Sequence, residues 1–390
     1  MSWPTVPIAF IKANIPNALV GGPFGSDLTT RDYVAEGVPV IRGQNLAPGR
    51  VFNEDEFVYV SVEKATLLRA NTAGRGDLIF TQRGTLGQVG LIPMTSRFER
   101  YVVSQSQMKL TVDPLKADAR FVYHYFSLPE VVEQIKARTI TSGVPHINLG
   151  TLKEFRIPLP PIDTQVRIAK IASTYDDLIE NNQRRIRLLE EAARRLYRGW
   201  FVALRFPGHE RVKRHDGVPL GWERATLGEA LQLQRGFDLP SGERKDGEVP
   251  IVASTGVTGY HNEPRVQGPG VVTGRSGTLG AVHFVHEDFW PLNTSLWVKE
   301  FRRVTPVIAY FLLSELELGQ FNSGASVPTL DRKAIHPLSV LIPALSIQQA
   351  FDRVAGTLFG QIRVLQRAAA AAGKARDALL PRLMSGALPV

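Results

Sequence analysis

The stretch QVRIAKIASTYDDLIENNQRRIRLLEEAARRLYRGW, residues 165–200, decides how the rest of the chain is read. It contains no proline, and its only glycine is Gly199. Apolar or semi-apolar residues recur in steps of three and four at Ile168, Ile171, Tyr175, Ile179, Ile186, Leu189, Ala193, Leu196 and Trp200, which marks one face of a long helix. A second stretch repeats the pattern. Phe351, Val354, Leu358, Ile362, Ala369, Ala372, Leu379 and Leu383 each stand 183 positions beyond a member of the first set. Leu365 falls opposite Asn182, a polar residue within the stripe. Pro-rich approaches precede both helices, with Asp163 or Thr164 and Ser346 as candidate N-caps. A helix of about 36 residues is a rod roughly 54 Å long, and a single narrow stripe on such a rod is not buried by the rod itself. The matching stripe supplies the partner, so the spacing predicts an intramolecular coiled coil. The other packing open to each helix is against its own globular part.

Outside these helices the two halves of the chain echo each other, as an internal duplication requires. RGTLG (83–87) is matched by RSGTLG (275–280), Pro160 and Gln165 by Pro343 and Gln348, and Trp3 by Trp222. Tyr125-Phe126 is paired with Tyr310-Phe311, and Ser142-Gly143-Val144-Pro145 with Ser323-Gly324 and Val327-Pro328. The order never changes, while the spacing drifts as insertions in surface loops would make it drift. Short apolar runs between turn formers read as strands, for example Gly37–Ile41, Asp77–Phe80 and Gly270–Thr273. Helical patches follow at about 119–138 and 305–320. The expected fold class is therefore α+β: two similar mixed α/β globular parts, 1–160 and 204–345, alternating with two long helices, 161–203 and 346–386.

Composition narrows the function. Of 390 residues, 44% are hydrophobic and 21% charged, which suits globular domains and excludes wholesale disorder. There are 46 Lys and Arg against 37 Asp and Glu, a formal charge of +9, and nucleic acid is the commonest polyanionic partner of so basic a chain. Cysteine is absent, which excludes disulfide scaffolds, Cys-ligated zinc and thiol nucleophiles. No apolar run has the length of a membrane span, and the opening Met1-Ser2-Trp3-Pro4 does not read as a signal peptide, so a cytoplasmic protein is expected.

Catalytic signatures are missing. The chain has no GxxxxGK[ST] loop, no dinucleotide fingerprint and no Asn/Asp-Pro-Pro-aromatic loop of an adenine methyltransferase. His283 and His286 stand in an apparent strand whose alternation places them on opposite faces, which is wrong for a shared metal. No catalytic or metal-ligating residue is assigned. The remaining candidates are polar side chains on loops, of the types that read base edges: Arg for guanine, Asn and Gln for adenine. They are Arg42, Gln44, Asn45, Gln82, Arg83, Ser104, Gln105 and Gln107 in the first half, and Ser254, Thr255, Arg275, Ser276 and Asn293 in the second. Arg83 and Arg275 stand out because each opens the same repeated segment.

The pattern resembles the specificity subunit of type I restriction–modification systems over essentially the whole chain. The similarity is carried by GGPFGSDL and DYVAEGVPVIRGQNL within 21–46, IPLPPIDTQ (157–165), LYRGWFVALRFPGHE (196–210), GVPLGWERATLGE (217–229) and LLPRLMSG (379–386). In the second half no clear equivalent of GGPFGSDL is seen. The resemblance implies that 1–160 and 204–345 are target recognition domains, each reading one half of a split, asymmetric DNA site through the major groove. It implies an antiparallel helix pair that sets the gap between half-sites and docks two methyltransferase subunits, with restriction and translocation subunits joining them. S-adenosylmethionine, ATP and Mg²⁺ would then serve those partners, and none would be bound by this chain. Two other readings remain at this point: a DNA-modifying enzyme with an unrecognised site, and a duplicated non-catalytic scaffold.

Overall fold

A computed structural model of the chain describes residues 3–46, 50–140, 144–324 and 326–390. Ser142 and Gly143 of the repeat comparison, and the first two residues of the chain, lie outside the described residues. The chain forms two compact units, Met1–Arg184 with Leu365–Val390, and Arg185–Val364. Both boundaries fall inside a long helix, so the helices are not separate domains between globular parts. Each contributes one half to each unit.

In the first unit a four-stranded antiparallel sheet has the order Leu19–Gly21, Gln107–Leu110, Leu78–Thr81, Val89–Leu91. Beside it in sequence, Val38–Ile41 runs parallel to Arg100–Val103 and antiparallel to Val58–Val60 within a five-stranded sheet. The central strands are buried throughout, as the β-branched runs require. Thr5–Pro7 pairs with Arg156–Pro158 just before the first long helix.

The second unit has the same plan. Leu231–Arg235, Ser295–Phe301, Gly270–Gly274 and Val282–Val285 form the four-stranded sheet in the same order. Val249–Ala253 runs parallel to Trp290–Pro291 and antiparallel to Gly256–His261. Glu223–Thr226 pairs with Ser339–Ile342 just before the second long helix. The duplication expected from sequence is a duplication of topology.

Backbone partners also correct one match. The helical patch at 119–138 is two helices, Ala119–Phe126 and Pro129–Ala137, separated where proline cannot continue the ladder. The first is capped by Asp118, as Pro306–Glu315 is capped by Thr305. The Ser127 hydroxyl donates to the Tyr123 carbonyl, and that of Ser314 to the Tyr310 carbonyl. The structural counterpart of Tyr310-Phe311 is therefore Tyr123-His124, two residues before the Tyr125-Phe126 matched by sequence.

The long helices are Ile162–Tyr197, continued by a π-turn over Arg198–Val202, and Leu345–Met384. Both start one step before the expected caps. Thr164 and Gln165 donate to the Pro161 carbonyl, and Ile347 and Gln348 to that of Ala344, which puts Asp163, Thr164 and Ser346 inside the first turn. Within each unit the helices pair antiparallel. In the first, Ile168, Ala169 and Ala172 share a core with Leu380, Leu383 and Met384, and Arg376 bonds Asp176 at 2.5 Å. In the second, Ala193, Tyr197 and Trp200 share a core with Phe351, Ala355, Phe359 and Ile362. Those cores also take in globular residues such as Phe121, Phe155, Trp222 and Phe311, so both packings open to the helices are used.

This double packing shifts the buried face. Val354 is 44% exposed while Ala355 is fully buried, and Leu358 and Leu379 are half-buried beside buried Phe359 and Leu380. Ile171, Tyr175, Ile179, Ile186, Leu189 and Leu196 are half-buried, while Asn182 and Leu365 are buried together with Ile168 and Leu383.

Two glutamines fix where the helices begin. The Gln165 carbonyl oxygen accepts from the Asp118 N–H at 3.0 Å, and its amide donates to the carbonyls of Pro160 at 2.8 Å and Lys116 at 3.4 Å. Gln348 repeats the set with Thr305 N–H at 3.0 Å, Pro343 at 2.8 Å and Arg303 at 3.0 Å. Each side chain joins a helix start to the capped end of a domain helix, and each is 1% exposed.

The two units also differ at a buried polar cluster in the helix packing. His124 and Asp176 in the first unit occupy the places of Phe311 and Phe359 in the second, which stack at 5.9 Å. His124 Nδ1 lies 3.7 Å from Asp176, but Arg376 neutralises that carboxylate. Burial, with Arg376 and Arg120 nearby, holds the His124 imidazole down at about 3.

Two expectations follow. Gln165→Ala or Gln348→Ala strands the buried carbonyl of Pro160 or Pro343 and two partly buried partners, and each should cost about 1–3 kcal/mol in urea denaturation. His124 links stability to pH. The unfolded imidazole takes a proton below about 6.5, the folded one only near 3, so stability is lost as pH falls between those values. At pH 5 the loss is about 2 kcal/mol relative to pH 7. His124→Phe should flatten this slope; an unchanged slope would place the titration elsewhere.

Candidate nucleic-acid interface

In each unit one tight turn gathers the loops that carry the candidate residues. In the first, Gln107 N–H closes the turn on the Ser104 carbonyl at 3.1 Å. Ser104 N–H reaches Ile41 O at 3.1 Å, Gln82 and Arg83 N–H reach Ser106 O at 2.7 and 3.2 Å, and Gly22 N–H reaches Gln107 O at 2.8 Å. The second unit has the same hub at Leu292–Ser295. Its bonds run from Leu292 N–H to Val252 O (2.8 Å), from Arg275 and Ser276 N–H to Thr294 O (2.9 and 3.0 Å), and from Gly236 N–H to Ser295 O (3.0 Å).

The hubs require glycine where the backbones touch. A Cβ on Gly22 would lie 1.9 Å from the Ser104 carbonyl oxygen, and one on Gly236 2.1 Å from that of Leu292. The following loops turn on glycines with positive φ, Gly84 (95°) and Gly87 (87°) in one unit, Gly277 (86°) and Gly280 (90°) in the other.

These bonds redefine the correspondence between the halves. Gln82 is the counterpart of Arg275, and Arg83 that of Ser276; Ile147 and Leu330 donate to the carbonyls of the first pair. The arginines of RGTLG and RSGTLG do not occupy the same place. The structure also supplies the missing equivalent of GGPFGSDL, which is Arg235-Gly236-Phe237-Asp238-Leu239, anchored through Gly236 as the other is through Gly22. The two segments share little sequence, and the interval between counterparts contracts along the chain.

The candidate side chains divide into two groups. Several serve the loops themselves. Asn45 is fully buried, accepts from Arg42 N–H at 2.8 Å and donates to Asn53 O at 3.0 Å, so it is a structural residue and not a free reader. Gln44 donates to the Glu56 carbonyl, and Gln105 to those of Gly25 and Leu28. Buried Gln107 accepts from the Ser104 hydroxyl, Ser254 is buried under the Gly274–Gly277 turn, and Asn293 donates to Asp238.

The second group keeps its polar side-chain atoms open. Gln82, Arg83, Thr255 and Ser276 have no side-chain hydrogen bond among the described residues, and Arg275 makes a single one, to the Asn293 carbonyl at 3.2 Å. Arg42 borders a cleft of about 460 Å³ lined also by Gly25, Tyr33, Gly43 and Ser104–Gln107. Its Nε is buried there with no partner among the described residues. A buried guanidinium nitrogen without an acceptor is costly unless a ligand supplies one. Asp238 is a loop residue that sequence reading missed, because its segment had no recognisable match.

Nothing in either cluster assembles a catalytic constellation. Among the described residues no group of three His, Asp or Glu is placed to hold a metal, and no helix is long and apolar enough to cross a membrane. Paired sets of loops with open Arg, Gln and hydroxyl groups are what recognition of base edges needs.

The comparisons with known proteins agree. A family model described as "Type I restriction modification DNA specificity domain" matches residues 36–191 and again 219–351. The chain belongs to this family: it is a specificity subunit of the type I restriction–modification kind, a non-catalytic component that recognises DNA sequence. It is 26% identical over 401 aligned positions to the type I restriction enzyme MjaIX specificity subunit of Methanocaldococcus jannaschii, covering 92% of this chain and 89% of that one. It is 23% identical to the EcoBI specificity subunit of Escherichia coli, covering 67% and 63%. The crystal structure of the type I restriction–modification S subunit from M. genitalium shares the fold, with a TM-score of 0.62 at 20% identity over 98% of this chain and 96% of that one.

The hubs yield one expectation. Gly22→Ala forces the first-unit turn apart and should degrade recognition by that unit alone, while Gly236→Ala does the same in the second. Altered methylation of both halves of a target by either variant would contradict it.

Proposed function

We propose that the chain reads an asymmetric, bipartite DNA target, one half-site with each unit, for a complex of two methyltransferase subunits and, when restriction occurs, motor–nuclease subunits. The observation that carries this reading is that one hub of backbone bonds is built twice but bears different open side chains: Gln82 and Arg83 in one unit, Arg275 and Ser276 at the corresponding places in the other. Two copies of one hub with unlike readers suit two unlike half-sites. The chemistry of transfer and cleavage, with S-adenosylmethionine, ATP and Mg²⁺, belongs to the partners in this reading.

The relatives support the partners: those reported above are named as subunits of type I restriction enzymes. The net charge of +9 supports a polyanionic target. The long paired helices are the natural spacer between readers, so lengthening them should change the gap between half-sites and leave the half-sites intact.

Methylation sequencing of the host genome, with and without the gene, tests the proposal. The expected result is loss of one gapped, asymmetric methylated motif. An unchanged methylome, with no methyltransferase co-purifying, would overturn it. Arg275→Gln should then replace a guanine preference by an adenine preference at one position of one half-site, a change of about 1–3 kcal/mol in discrimination. A motif altered in the other half-site would refute the assignment of units to half-sites.

A further inference from the structure

Phe24 is 88% exposed, yet the loop that carries it is braced on every side. Gly22 N–H bonds Gln107 O at 2.8 Å, Asn71 Nδ2 bonds Gly21 O at 2.8 Å, and the Gln105 amide holds the carbonyls of Gly25 and Leu28. Downstream, Asp32 caps the turn at Thr29 and pairs with Lys64 at 2.9 Å. A phenyl ring is thus kept in water by a backbone that is itself fixed. Leaving it there opposes hydrophobic transfer, and no core cluster of its unit includes it.

Its place gives the ring a meaning. Gly25, the next residue, lines the cleft that contains Arg42, Gly43 and the Ser104–Gln107 turn. The unit therefore holds an exposed apolar ring next to a residue that lines the cleft of the open Arg42. The major-groove edge of DNA carries one apolar group as well, the C5 methyl of thymine.

The other unit lacks this device. Counted from the shared anchor glycine, Asp238 stands at the place of Phe24, and the neighbouring Phe237 is half-buried, lies 6.2 Å from Trp297 and is covered by the Arg265 guanidinium at 4.9 Å.

We propose that Phe24 is a specificity-determining residue of the first unit, packing on the methyl group of a thymine in the half-site that unit reads. This inference rests on the bipartite recognition proposed above. Because Phe24 is so exposed, its replacement removes no core contact and leaves the fold intact.

The test uses the complex purified from its host and a duplex carrying the methylated motif. Each thymine of the first unit's half-site is replaced in turn by uracil, which removes the methyl alone, and affinity is measured at one fixed salt concentration. One replacement should weaken binding about fourfold, the transfer energy of a single buried methyl. Phe24→Ala should weaken binding to the thymine duplex by a similar factor and abolish the contrast between thymine and uracil at that position.

A flat uracil series in a complex that still selects its motif would overturn this proposal alone, as would a half-site without thymine. A contrast that persists in Phe24→Ala would also overturn it. If Phe24→Ala weakens binding while the series is flat, the ring stacks on bases and the methyl contact is wrong. A complex with no sequence selectivity would sink the recognition reading and this proposal together.

Discussion

A buried primary amide must find partners for its oxygen and for its N–H groups, and Gln165 and Gln348 do so at the point where strand, domain helix and long helix meet. Each satisfies the N–H of a capping residue, the carbonyl of the residue two before that cap and the carbonyl of the proline ahead of the long helix. Turning either side chain away would leave a buried carbonyl and two partly buried groups unpaired at once, so the geometry is held by penalty as much as by attraction. The direction in which each long helix leaves its domain depends on this joint, and the reading loops depend in turn on the sheets beneath it.

Much of this was legible in the sequence because it rests on periodicity and order. The long helices announce themselves by steps of three and four residues, and the glutamines by their equal distance from a preceding proline. Chain order survives insertions, so the duplication was visible. Phase was less accessible. Val354 faces water because its helix packs on two neighbours, and the stripe alone cannot say which side of it the second neighbour takes. Counterparts in the loops are hidden for a related reason. Similar letters in RGTLG and RSGTLG align the arginines, whereas hydrogen bonding aligns Gln82 with Arg275. Asn45 and Gln105 are of the right type to read bases, and only the fold shows that their amides are bonded to the backbone.

The two units also show how a duplicated frame diverges without losing its shape. At one place in the helix packing the second unit stacks Phe311 on Phe359, while the first sets His124 beside Asp176 and answers the charge with Arg376. The aromatic solution gives the larger hydrophobic gain; the polar one depends on Arg376, whose removal would leave the buried Asp176 carboxylate without its partner. Both fill the position, and the backbones around them keep the same order.

The discontinuity of the first unit bears on how the protein is made. Residues 185–364 form a continuous unit, whereas the unit begun by the N-terminal segment is closed only by Leu365–Val390. Until Leu380, Leu383 and Met384 leave the ribosome, Ile168, Ala169 and Ala172 lack part of their cover. The part synthesised first is therefore completed last, and the nascent chain carries an open apolar seam while the later unit folds.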